Sequence, residues 1–289
     1  MPLSNTSPID IVRRRVDLQF AADDAVHWLP AEPVVETFLN AISFFFPPGE
    51  KFFIDSVQAY QDRISDPVLQ DQVRRFVYQE AMHTSVHQRC NQALIATYPQ
   101  GPKIERIGGA LLSFFRKITP KPFHLAISCA IEHYTAMLSD SLFHHDLDNF
   151  IERAHPDFAQ LWTWHAVEET EHKAVCFDVY RTVVGRGPIA YLTRVLAMLL
   201  VTLFGAVAVT IGVVLIGRDR LPPTPDKALE APNARNNTVE LFWSLIPWKL
   251  WFDYFRPTFH PWDHDNRQLV EVWKQRFPNF GRSPDATAE

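Results

Sequence analysis

The chain has 289 residues, 47% hydrophobic and 21% charged, which excludes both a disordered segment and a protein made only of membrane spans. A formal net charge of −5 denies it the basic face that nucleic acid requires, so no nucleic-acid partner is expected. With 10 glycines and neither a GxGxxG nor a GxxxxGK motif, the glycine-dependent phosphate cradles are excluded too.

In chain order, residues 1–20 carry Arg13, Arg14 and Arg15 without an apolar run, unlike a secretory signal. Residues 31–46 read as an apolar helix closed by Pro47, Pro48 and Gly49. A second helix is expected over about residues 50–64, burying Phe52, Phe53, Val57 and Tyr60. Asp66-Pro67 marks a helix start, and residues 68–96 keep apolar periodicity through Val73, Phe76, Val77 and Leu94. After a break from Tyr98 to Pro102, helices are expected over 104–118 and 122–143. His155-Pro156-Asp157 then opens a long one over 157–184. The pattern predicts an all-α protein with four core helices and extra ones. Cys90, Cys129 and Cys176 lie far apart within helical stretches, which predicts a reducing compartment and no disulfide framework.

Residues 195–216 are 22 consecutive uncharged positions, enough to cross a bilayer, for which about 20 suffice. Arg181, Arg186 and Arg194 before them and Arg218 and Arg220 after them leave the orientation open. The alternative is a buried central helix of a soluble protein. Residues 241–255 concentrate Trp243, Trp248 and Trp251, which suits a membrane interface. The expected organisation is a helical domain over 1–188, a hydrophobic transmembrane-type helix over 189–218, and a Trp-rich amphipathic segment with a disordered tail over 219–289. The expected location is a membrane, with the helical domain in the cytoplasm.

Two stretches carry chemistry. Glu80, His83 and His87 lie at i, i+3 and i+7, and His165, Glu169 and His172 at i, i+4 and i+7. At helical pitch each set falls within a sector of about 60°, so its side chains converge from one direction as a metal requires. Glu-x-x-His also occurs at Glu152, but Pro156 breaks that turn. Order along the chain adds weight: Glu50 on one helix, Glu80-x-x-His83 on the next, Glu132 on a third, Glu169-x-x-His172 on a fourth. One Glu from each of two helices and Glu-x-x-His from each of two others is a recipe for a two-metal carboxylate centre in a four-helix bundle. Glu50, Glu80, Glu132 and Glu169 are the expected catalytic carboxylates. Glu50, Glu80, His83, His87, Glu132, His165, Glu169 and His172 are the expected ligands. Two metal ions are expected, iron foremost, with manganese or zinc as alternatives. His133 competes with Glu132 and Glu168 with Glu169, since helical angle alone does not separate them. His87 and His165 have an alternative role in hydrogen-bonding to other ligands. Glu168 and Glu171 are candidate proton acceptors on the flank.

These residues give the chain a resemblance to the ferritin-like di-iron superfamily, and more closely to a bacterial family labelled predicted metal-dependent hydrolase. The motifs are FPPGEKFF around Glu50, QEAMH at Glu80, IEHY at Glu132, EETEH at Glu169 to His172, and FRPTFHPWD near His260. The resemblance implies a ferritin-like bundle. The spacing of His165, Glu169 and His172 is also similar to that of di-iron N-oxygenases, where the additional histidine is a ligand; His87 has no counterpart there. The expectation drawn from this is an O2-dependent oxidase or oxygenase of an apolar, lipid-like substrate, with an electron donor as partner. The alternatives are a hydrolase using the same site and a non-enzymatic iron-handling or membrane scaffold protein.

Overall fold

A computed structural model describes residues 8–144, 147–220, 247–278 and 280–281. Among them the regular structure is helical: α1 (Pro33–Ser43), α2 (Phe46–Gln58), α3 (Pro67–Leu94), α4 (Gly101–Ile118), α5 (Lys121–His144), α6 (Leu147–Arg153), α7 (Pro156–His172), α8 (Val175–Val183), α9 (Pro188–Asp219), α10 (Trp248–Asp253) and α11 (Arg267–Arg276). The all-α expectation holds. Trp243 and most of the tail expected to be disordered lie outside the described residues.

Two helix boundaries differ from the expectation. Pro47 and Pro48 open α2 rather than closing α1, because proline's missing N–H costs nothing in a first turn. Glu50 therefore sits one turn inside α2. The long helix expected over 157–184 is two, α7 and α8, parted at Lys173 and Ala174. No proline or glycine stands there; the Lys173 ammonium is instead drawn to His264 O and Asn266 Oδ1, both at 2.7 Å. The start of α3 follows its sequence signal, with the Asp66 carboxylate accepting from Val68 N at 2.9 Å.

Helix α2 packs on α3 and α5, and α7 with α8 packs on those same two, which closes a four-sided bundle. Apolar side chains form two clusters, one around Trp28, Phe44, Val86 and Trp164, the other around Phe52, Phe76, Cys129 and Tyr180. On α3, Glu80 and His83 fall between Phe76 of one cluster and Val86 of the other. On the α7–α8 pair, residues 168–172 fall between Val167 and Val175 in the same way. The polar site is thus a layer between two apolar ones.

Helix α9 packs on α5, α1 and α4. A Cβ on Gly212 would approach Phe45 to 3.1 Å, and one on Gly108 of α4 would meet Phe45 at 2.7 Å, so the helices meet closely. Helix α9 is long and apolar enough to cross a membrane, and only 22% of its most apolar window is buried. A central core helix would be covered. Helix α11 packs on α7, with Val270 and Trp273 buried in the first cluster.

Candidate metal centre

Seven of the eight expected ligands come together: Glu50 from α2, Glu80 and His83 from α3, Glu132 from α5, and His165, Glu169 and His172 from α7. Their donor atoms form three overlapping groups: Glu50 with His83 and His165; Glu80 with Glu132 and His172; and Glu80 with His83 and Glu169. The third group shares His83 with the first and Glu80 with the second, and Glu169 reaches His165 through Oε1 at 3.1 Å and His172 through Oε2 at 3.5 Å, so Glu80 and Glu169 lie between two candidate metal positions. His172 Nε2 stands 3.1 Å from Glu80, 3.5 Å from Glu169 and 3.6 Å from Glu132. His83 Nδ1 is 3.9 Å from Glu80 and 3.8 Å from Glu169. All seven are at most 3% exposed. Yet Glu50 Oε1, both oxygens of Glu80 and of Glu132, both nitrogens of His83, and Nε2 of His165 and of His172 have no hydrogen-bond partner. So many buried polar atoms without a partner are costly, and bound cations, or protons in their absence, offset that cost. The donor set therefore fits hard or borderline divalent ions.

The eighth residue, His87, stands outside these groups. Its Nε2 meets His165 Nδ1 at 2.9 Å and its Nδ1 meets Ser43 Oγ at 2.9 Å, so both ring nitrogens already have side-chain partners. It orients His165 and leaves His165 Nε2 free to bind. His133 points elsewhere, donating to Leu250 O at 3.0 Å, so Glu132 is the residue of that pair that faces the cluster. Glu168 and Glu169 likewise separate, Glu168 turning to Arg14 at 2.9 Å.

The composition of the surrounding network was not foreseen. His172 Nδ1 meets Gln79 Oε1 at 2.8 Å, and the Gln79 amide donates onward to Glu171 Oε2 at 2.9 Å and to Val12 O at 3.0 Å. Arg14 donates to Glu171 Oε1 at 2.6 Å and to Glu168 Oε1, while Glu168 Oε2 stands 3.2 Å from His83 Nε2. Arg14 arrives on the irregular N-terminal segment, some 150 residues away in sequence. The basic run around it gave a signal, but nothing in its spacing paired it with α7. Glu168 and Glu171 are consequently tethered to a guanidinium, not free proton acceptors on a flank. Thr135 hydrogen-bonds to Glu169 Oε2 from α5.

Burial, reinforced by neighbouring carboxylates, holds Glu50 and Glu132 well above the usual carboxylate range. Burial also lifts Glu80 to about 7, against the pull of His172. At Glu169, His172 and His165 outweigh burial and hold the carboxyl well below that range. Burial and the adjacent His165 depress His83. At His172 burial acts the same way, but Glu169 and Glu80 outweigh it and raise it. Without metal the cluster thus keeps protons that bound cations would displace.

Two cavities flank the cluster. One of about 140 Å³ is bounded by Phe46, Trp162 and the ligand His165; another of about 360 Å³, almost wholly apolar, lies between α2, α4, α5 and α9. Phe38, Phe46, Thr135 and Leu138 border both.

Residues 12–265 match the model of the family described as predicted metal-dependent hydrolase, and the chain belongs to that family. No match was found among curated proteins or among solved structures.

Proposed function

We propose that this chain is a two-metal hydrolase of an apolar, acyl-bearing substrate, held at a membrane with its bundle on the cytoplasmic side. The observation that carries it is the set of unpartnered donor atoms on six buried side chains from four helices, in groups linked through Glu80 and His83. The family description favours hydrolysis over the oxidation expected from the sequence. Divalent ions bound there would lower the pKa of a water and polarise a substrate oxygen. Around them, Glu50 and Glu132 would each serve one end of the cluster and Glu80 and Glu169 would span it, while Gln79 and His87 fix the imidazoles of His172 and His165. Phe46 and Trp162 wall the cavity beside His165, an approach suited to an apolar group. Three buried cysteines without disulfides support a reducing compartment, and the length and exposure of α9 support a membrane.

The test is turnover of acyl esters of increasing chain length by zinc- or manganese-loaded protein under anaerobic conditions. Hydrolysis that rises with chain length and disappears in Glu80→Ala supports the reading. A second reading, oxygen-dependent oxidation at iron, draws on the carboxylate-rich donor set and its enclosure by Phe46, Phe76 and Trp164. Oxygen consumption by the Fe(II)-loaded protein, with no anaerobic ester turnover under any metal, would replace the first reading with the second.

A further inference from the structure

The exposed side chains of α9 form one continuous stripe. Leu192, Leu196, Leu199, Leu203, Val207 and Ile211 recur every three or four residues, each 40–61% exposed. The opposite side is packed at both ends: Ala190, Arg194, Ala197 and Met198 near the start, Ala208, Gly212, Leu215 and Ile216 towards the finish. Protein contact therefore accompanies the helix from Ala190 to Ile216, a rise of about 39 Å, which exceeds a hydrocarbon core of about 30 Å. A helix crossing a bilayer in that state would carry the packed α1, α4 and α5 into the hydrocarbon with it. Helix α4 exposes Lys103, Arg106 and Lys117, charges that hydrocarbon strongly disfavours. Lying flat avoids this conflict. The stripe then meets lipid along its whole length, and Lys103, Arg106 and Lys117, together with exposed Arg186 and Arg218, suit anionic headgroups.

A second observation concerns the middle of the same helix. Between Met198 and Ala208 no residue of α9 is buried, because there the helix roofs the 360 Å³ cavity. Val201, Gly205 and Val209 line it from α9. Phe204 and Trp248, also lining, are each 38% exposed and place its mouth on the lipid-facing side. Its size falls among small-molecule pockets, about 300–1,000 Å³, and its wall offers almost no polar group to a headgroup. At its inner end stand Phe46, whose ring is 4.5 Å from that of His165, and Thr135, which hydrogen-bonds to Glu169.

We propose that α9 docks in the plane of a bilayer leaflet and that the cavity it roofs takes an acyl chain of a membrane lipid sideways, directing it towards the metal cluster with Phe46 as the partition. The chemistry performed on that chain rests on the function proposed above; the docking and the chain's entry do not.

The experiment uses the full, metal-loaded chain on vesicles of phosphatidylcholine and phosphatidylglycerol. Nitroxides are attached singly to Leu192→Cys, Leu203→Cys and Val214→Cys, the native cysteines being buried. Flat docking gives the three labels similar, shallow depths. A depth maximum at Leu203 with both ends at the headgroups would establish a spanning helix and overturn the proposal. Labels that stay outside lipid and couple to a second copy would overturn it in favour of a dimer. For the cavity, stearic acid with a nitroxide near its methyl end should give an immobilised spectrum and quench Trp248. Trp248→Phe should remove the quenching, and Gly205→Phe should remove the immobilised signal; a Cβ at Gly205 meets nothing within 4 Å, so the variant can fold. Unchanged stearate binding in Gly205→Phe would overturn the entry route. Metal content is measured in parallel: normal stearate binding by a chain that holds no metal would sink the proposed function while leaving the docking intact.

Discussion

A histidine has two ring nitrogens, and the group that holds one decides what the other is left to do. His172 is held through Nδ1 by Gln79, and His165 through Nδ1 by His87, so in both the Nε2 faces the carboxylates. Hydrogen-bond partners of this kind commonly contribute about 10–100-fold in metal affinity. Gln79→Leu and His87→Phe are therefore expected to weaken metal binding within that range while keeping its stoichiometry, as read by competition with a chelator. His83→Ala, in contrast, should lose stoichiometric metal. Equal loss in His87→Phe and His83→Ala would restore His87 as a ligand. Arg14 makes a different point, because it balances two buried carboxylates at once. Removing one partner of a buried ion pair costs about 3–5 kcal/mol, since the remaining charge has no counterpart. Arg14→Met should be destabilised by that order in denaturant unfolding, and Arg14→Met with Glu171→Gln by less than the single variant.

At the scale of elements, the ligands that share a helix were legible in the sequence. Glu80 and His83, or Glu169 and His172, are one turn apart, and a 3.6-residue period is enough to put them on one face. Glu50 and Glu132 were legible through their order among the helices. What escaped depends on contacts between distant segments: Gln79 was one more polar residue on α3 until Val12 and Glu171 were placed beside it. The end of α7 at His172 escaped for the same reason, since Lys173 is held by His264 and Asn266 rather than by any local breaker. Pro47 and Pro48 were read as an ending because proline punctuates both ends of helices, and the apolar run before them hid the short turn at Phe44 and Phe45. Helix α9 offers a check on element packing. Gly212 faces Phe45, Ile104 and Ala41 at 3.1–3.5 Å from where a Cβ would lie. Gly212→Leu should overpack this contact and cost about 1–3 kcal/mol. An unchanged unfolding midpoint in detergent would show that α9 does not rest on the bundle there.

At the scale of the whole molecule, the layer of acids between two apolar clusters ties stability to pH and metal together. Above pH 6.5 the unfolded chain's glutamates hold essentially no protons. In the folded, metal-free chain, Glu50 and Glu132 are held well above their ordinary range and Glu80 titrates near 7. The folded state then binds more protons than the unfolded one, so stability falls as pH rises, by about 1.4 kcal/mol per pH unit for each proton retained. His172, raised by Glu169 and Glu80 against burial, acts in the same direction, because its contribution is lost as pH passes its folded value. His83 and His87, lowered by burial, oppose this only below about pH 6.5, where the unfolded imidazoles take up protons. Lys173, which burial lowers to about 7, opposes them from there upward, but the more numerous carboxylates and His172 set the sign in the window from 6.5 to 8. Metal-free protein should lose thermal stability across it, whereas the metal-loaded protein, its donors already stripped of protons, should change much less. The gain in melting temperature on adding metal is accordingly larger at pH 8 than at pH 6.5, and adding metal to weakly buffered protein at pH 7 should release protons. A metal-free protein equally stable at both pH values, releasing no proton on loading, would mean that the four carboxylates are already ionised without a cation.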